Sequence, residues 1–350
     1  RSTEEMEIRT MKNNNRVKTI SKNKLLDNVI YLVLLGLIIV TIVINPKFLS
    51  FTNLKNILAQ SSVSLIVALG MGMVLIARGV DLSAGRMVGL IAIVSATLLQ
   101  QTGYSIKIYK DLPELPLTLV FVLMIILGGL FGSLSGTFVA KFNVPPIITT
   151  LSMQLIIYGI ASLYYDRPPY GAQPIGGISK NLVKLSTGSI KIGSIEIPYL
   201  IIIAAFVSFV AWILWNKTVF GQNMYAVGGN PEAAYVSGVN VFKTQIMIYA
   251  IAAMFYAFAG VLEVGRIGSA STNTGNAYEM DAIAACVVGG VSMSGGIGTV
   301  SGIVVGVLIF TVINYGLAFI GVNMYWQYIV KGLIILLAVI LDMRSSKQKK

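Results

Sequence analysis

The sequence contains no histidine, a single cysteine and only 14 acidic residues in 350. Each scarcity closes a class of chemistry. Without histidine there is no imidazole metal site, no Ser-His-Asp triad and no histidine proton relay. Cys286 has no partner for an intrachain disulfide, and in its apolar stretch it reads as a small buried side chain. The acidic residues are scattered, which gives metal binding and acid/base hydrolysis no support. The dipeptide Gly-Lys never occurs, so a Walker-type phosphate loop is excluded. No catalytic residue, metal or cofactor is expected. Charge is scarce too: 11% of residues are charged, against about 25% in a soluble domain.

What fills the space is apolar. Hydrophobic residues make up 55% of the chain, more than one soluble core would hide. The expected class is an all-α integral membrane protein of about ten transmembrane helices, some short or broken. Candidate spans fall at 28–44, 61–78, 86–101, 117–140, 147–165, 197–215, 244–263, 281–293, 298–319 and 325–341. A regular span needs about 20 apolar residues, with a lower limit near 17, so the eighth is too short and the third is marginal. Lys and Arg are richer in the segments that are inside if the N-terminus is cytoplasmic, which puts both termini on that side. The net charge of +12 is mostly this topological signal. It lacks the clustering that nucleic acid requires, and lipid is the expected surround. The expected division is a cytoplasmic tail at 1–27, a transmembrane domain at 28–342 and a basic cytoplasmic tail at 343–350. Residues 1–10 are polar, begin without methionine and are set aside as non-native or an over-extended start, with a native start at Met6 or Met11.

One stretch interrupts the apolar pattern. "LIARGVDLSAGRMVGL" at 75–90 carries Arg78, Asp81 and Arg86, with Gly79 and Gly85 as helix breakers and Asp81 or Ser83 available to cap the next span. It reads either as an ordinary cytoplasmic turn with arginine flanks or as a broken helix inside the protein, with Asp81 paired to Arg78 or Arg86. The second reading gains from an echo: "GVDLSAG" at 79–85 recurs as "GVSMSGG" at 290–296. Interrupted helices in corresponding places are a transporter pattern.

The longest internal inside segment, 216–243, holds a second signal. Gly228 and Gly229 make a turn, Asn230 is an N-cap, Pro231 fits the first helical position and Glu232 the first turn. Ala233 and Ala234 continue the short helix and Gly238 stops it. A capped helix between two spans suits docking into a groove of another protein. The polar stretch 176–194 reads as an external loop.

These stretches, together with "NVPPIITTLSM" at 143–153, "YEMDAIAACVVGGVSMSGGIGTVSG" at 278–302 and "NYGLAFIGVNMYWQYIVKG" at 314–332, resemble the membrane subunits of bacterial ABC sugar importers of the ribose/galactose class. The resemblance runs from about Asn28 to Asp342. It departs at Val80, where many relatives have Gly or Thr, and at Pro145-Pro146. It implies a multi-pass permease of the bacterial inner membrane that moves galactose- or methyl-galactoside-type monosaccharides by alternating access. It also implies cytoplasmic ATPase subunits, a periplasmic or extracellular sugar-binding protein and a second copy of the chain as partners. The part of the coupling helix falls to Asn230–Gly238. A neutral sugar needs hydroxyl and amide partners and an aromatic face, and the polar candidates near breaks are Gln60, Asn143, Thr149, Gln154, Tyr158, Asn314 and Tyr315. An ion-driven symporter is the alternative from another class. It would need an intramembrane carboxylate, for which Asp81, Glu263, Glu279 and Asp281 are available; Glu263, just before Gly265-Arg266, suggests a local ion pair.

Overall fold

A computed structural model describes residues 29–166, 171, 173–193 and 195–348. The expected tail at 1–27 lies outside the described residues, as do Lys349 and Lys350.

The described chain is almost wholly helical. In order it forms α1 (Val29–Ile44), α2 (Phe51–Ile76), α3 (Ala84–Leu98), α4 (Leu117–Phe142), α5 (Pro146–Tyr165) and α6 (Lys180–Thr187). There follow α7 (Tyr199–Lys217), α8 (Val219–Gly229), α9 (Pro231–Val236), α10 (Val241–Ile267), α11 (Tyr278–Val288), α12 (Val300–Phe319) and α13 (Met324–Gln348). The loop expected at 176–194 instead holds α6 and starts an antiparallel hairpin. In it β1 (Ser189–Ile192) pairs with β2 (Ile195–Pro198), Ser189 opposite Pro198 and Ile192 opposite Ile195. Alternating polar and apolar residues from Ser189 to Pro198 carried this strand signal.

Among the described residues, six helices are long and apolar enough to cross a membrane: α2, α4, α5, α7, α10 and α12. Helix α2 begins ten residues earlier than the sequence suggested, at Phe51. Ser50 caps it by accepting from the Asn53 amide at 3.3 Å, so the polar residues Thr52, Asn53 and Lys55 belong to its first turns. Pro146 opens α5 at a position where its missing N–H costs nothing. The short span expected at 281–293 is the 11-residue α11.

The described residues form two compact units, 50–311 and the pairing of 29–49 with 312–348. Among the long apolar helices of the larger one, α2 and α10 are the most enclosed, with 78% and 61% of their apolar windows buried; in α4, α5 and α7 the share is 28% or less. Helix α4 lies against α10 through Gly128, Gly132 and Gly136. A methyl group on Gly132 would sit 2.3 Å from the Tyr249 carbonyl oxygen. Small residues at four-residue spacing let two membrane helices touch backbone to backbone. In the smaller unit, buried Phe48 packs against Phe319 and Tyr315, with ring centroids 5.5 and 6.3 Å away.

Candidate functional site

The break between α2 and α3 is an interior structure. Asp81 and Ser83 are each 3% exposed. The chain leaves α2 with Arg78 in the left-handed region at φ +63°, and the Gly79 amide bonds back to the Val74 carbonyl at 2.8 Å. Gly79 is required here by crowding: an added methyl would lie 2.5 Å from the Tyr249 hydroxyl. Thr150 of α5 donates to the Val80 carbonyl at 3.0 Å. Irregular backbone of this kind persists in a membrane protein where protein groups satisfy it.

The expected Asp81–arginine pair does not form. Asp81 Oδ1 accepts instead from the Ser83 amide at 2.9 Å and the Ser83 hydroxyl at 2.6 Å. That turn closes the break from within and leaves both arginines for other work. Nor does Gly85 break a helix. It lies in the first turn of α3, pressed against the Gly275 carbonyl, 2.4 Å from where a methyl would stand.

Arg78 reaches the end of α8. Its Nε donates to the Gly228 carbonyl at 2.7 Å, and Nη2 donates to the Gly229 carbonyl. These are among the last carbonyls of the helix, which have no partner within it. Gly228 and Gly229 thus end a helix; they do not make the expected turn. Helix α8 itself escaped the sequence reading, although its N-cap, Thr218, which accepts from the Gly221 amide at 3.2 Å, was visible. The echo at 290–296 arrives at the same place. The Gly296 amide donates to the Ile76 carbonyl at 2.8 Å, and Gly295 and Gly296 adopt φ +82° and +74°. The second copy thus meets the end of α2 and the Arg78 side chain, just ahead of the first copy.

Directly after α8 comes the segment that the sequence marks for docking. The Asn230 side chain accepts from the Glu232 and Ala233 amides at 3.0 and 3.1 Å, and Pro231 takes the first helical position. Ala234 is buried, whereas Tyr235 and Val236 are 73% and 86% exposed. Gly238, at φ +86°, ends the helix. A groove of about 680 Å³ runs beside it, lined by Ala140, Asn143, Pro231, Tyr235 and Phe242 among others.

Arg86 turns to a different set. It donates to the Thr272 carbonyl at 3.1 Å and to Asn276 Oδ1 at 2.9 Å, and its guanidinium lies 4.4 Å from the centre of the Tyr158 ring. Of the sugar-path candidates, Thr149, Gln154 and Tyr158 share α5. Asn143 caps α4 in the left-handed region and faces the groove just described. Gln60 is exposed on α2. Asn314 and Tyr315 lie on α12, with Tyr315 stacked on Phe319. Within the larger unit the five candidates are spread over α2, the end of α4 and α5, while Asn314 and Tyr315 belong to the smaller unit.

The carboxylates offered to an ion-driven mechanism are accounted for in part. Glu263, fully buried, is gripped by Arg266 through two bonds of 2.8 and 2.7 Å and accepts from the Tyr278 hydroxyl. That is the local ion pair its spacing suggested. Glu279 is 6% exposed and its Oε2 has no hydrogen-bond partner.

A family model described as "Branched-chain amino acid transport system / permease component" matches residues 53–339. The chain belongs to that permease family. The galactose/methyl galactoside import permease protein MglC of Haemophilus influenzae is 51% identical over 338 residues, 95% of this chain and 100% of that protein. The protein of the same name in Escherichia coli is 53% identical over 321 residues, 92% of this chain and 95% of its own. The ribose import permease protein RbsC of Haemophilus influenzae is 37% identical over 315 residues, 89% and 91% of the two chains. No solved structure matches. The chain is a membrane permease subunit of an ABC importer, multi-pass in the bacterial inner membrane. The family description and the relatives name different cargoes, so membership alone leaves the cargo open.

Proposed function

We propose that this permease imports galactose or a methyl galactoside by alternating access, driven by ATP hydrolysed on separate cytoplasmic subunits. The observation that carries the cargo is the identity of 51–53% to the two galactose/methyl galactoside permeases over at least 92% of the chain. A binding protein on the outer face delivers the sugar, two copies of the chain pair around the path, and lipid surrounds them. The full topology is ten spans with both termini cytoplasmic, the domain running 28–342 between its two tails.

The coupling element is Asn230–Gly238. An exposed, well-capped helix ending in exposed Tyr235 and Val236 supports that role. Closure of the ATPase subunits pulls this segment, and the bonds from Arg78 to Gly228 and Gly229 pass the movement to the break around Asp81. Alternating access needs elements with two arrangements, and in this reading both ends of that chain change between them.

Reconstitution tests it. Proteoliposomes holding this chain, its ATPase and its binding protein should accumulate labelled galactose only with ATP. Uptake driven by an ion gradient, without the ATPase, would overturn the reading. Glu232→Trp, at an exposed position, should abolish uptake with normal membrane abundance; normal uptake would remove Asn230–Gly238 from the mechanism.

A further inference from the structure

Arg86 stands at a costly place for a cation. It is the third residue of α3, about 18 Å by helix rise from the Leu98 end. Tyr158, beneath its guanidinium, is about 10 Å from the Tyr165 end of α5. A charge at such depth faces protein partners or water, not lipid. Its partners use two of the five N–H groups a guanidinium carries. Tyr158 is 41% exposed, so the ring is open beside the cation. Asn276 is exposed, and its carbonyl oxygen takes the arginine bond, which leaves its amide N–H groups as donors. The cluster therefore offers fork and amide donors and an aromatic face.

Those are the requirements of an uncharged molecule with hydroxyls and a C–H face. We infer that Arg86, Tyr158 and Asn276 form a water-facing contact point for a neutral, hydroxyl-bearing cargo within the translocation path. The naming of galactose as that cargo rests on the proposed function; the placement of the path does not. A purely structural cluster would instead lock α3 to α5 and to the 271–277 turn, with Tyr158 facing lipid or a second copy.

The test is cysteine accessibility in the assembled transporter. Cys286, 0% exposed, is first replaced in Cys286→Ala to give a thiol-free background. In it, Tyr158→Cys and Asn276→Cys should react with a charged, membrane-impermeant methanethiosulfonate at least tenfold faster than Ile156→Cys. Ile156 is 51% exposed, at nearly the same depth and about 160° around the helix. Reaction no faster than at Ile156 overturns the inference. In the otherwise native chain, Tyr158→Ala and Asn276→Ala should lower galactose moved per ATP hydrolysed by tenfold or more. Stimulation of the ATPase by loaded binding protein should stay within twofold, and Tyr158→Phe should behave as the parent. Unchanged stoichiometry in both alanine variants also overturns it. A parent transporter that moved no galactose would refute the cargo alone, while the labelling contrast would still decide whether the cluster faces the path.

Discussion

Arg78→Ala is the sharpest perturbation of the link between coupling segment and break. The parent side chain makes one part-buried bond to the Gly228 carbonyl at 2.7 Å and one exposed bond to the Gly229 carbonyl. Hydrogen bonds to a charged group are worth about 1.5–3 kcal/mol each. The exposed one is discounted to under about 1 kcal/mol because water competes for it. Their joint loss is then about 2–3 kcal/mol, or a factor of about 30–150 in the tied state. A folded protein with about 5–15 kcal/mol in hand survives that loss. Membrane abundance should stay within about twofold while ATP-driven uptake falls at least tenfold.

Backbone strain supplies the control. Arg78 sits at φ +63°, which costs a side-chain-bearing residue about 1–2 kcal/mol. Arg78→Gly relieves that strain and also removes the tie. It should therefore be more stable than Arg78→Ala yet equally deficient in transport. Arg78→Lys, with a point charge and no fork, should fall between alanine and the parent. The assay is initial uptake per transporter, alongside abundance and thermal stability in detergent. Transport by Arg78→Gly at the parental rate would refute the link, because it would show that activity follows stability and not the bonds to α8.

Asp81→Ala should cost about 1–3 kcal/mol, since it leaves the buried Ser83 amide without an acceptor. Asp81→Asn should cost less because an amide oxygen remains; membrane abundance of the two variants checks the order. Glu196 is held below its ordinary carboxylate value by its hydrogen bond to Lys55, at 2.7 Å, with Lys191 adding to the effect. A lowered carboxyl pKa contributes stability above its unfolded value near 4.5, lost as pH falls through the folded value. The β1–β2 hairpin should therefore lose protease protection on acidification below about pH 4.5, and Glu196→Gln should show no such step; an equal acid sensitivity in both would reject the tie.

The two capped features were legible because their signals are local. Asn-Pro-Glu followed by glycine specifies a short helix through side-chain caps and a fixed φ, and α9 has those bonds. The glycine-flanked Asp81 marked the break for the same reason. What could not be read was partner choice. Opposite charges within five residues suggested that Asp81 pairs with an arginine, yet the Ser83 hydroxyl and amide are nearer along the chain and bind without desolvating a guanidinium. The early start of α2 was hidden because Thr52, Asn53 and Lys55 lower its apolarity while Ser50 caps it. Helix α8 was hidden because its end, Gly228-Gly229, looks like a turn in sequence. A methyl on Gly228 would stand 1.8 Å from the Ile76 carbonyl oxygen, so this glycine reports close packing, which no local pattern records.

The same accounting applies where the second copy meets the end of α2. A helix that stops inside a protein leaves end carbonyls that need partners. Ile76, at the end of α2, has its carbonyl taken by the Gly296 amide from the second copy. Gly228 and Gly229, at the end of α8, have theirs taken by Arg78, the residue just before the first copy. The ends of α2 and α8 are thus each satisfied in part from elsewhere in the chain, with positive-φ residues at 78, 295 and 296 at the contacts, whereas α11 is closed by its own Gly289, Gly290 and Val291 amides. Without these partners the carbonyls of Ile76 and Gly228 would be left unpaired, at about 1–3 kcal/mol each where they are buried. The end of α2, the turn at 295–296 and the helix end at 228–229 are therefore tied together, and a movement of the proposed coupling segment would strain those bonds.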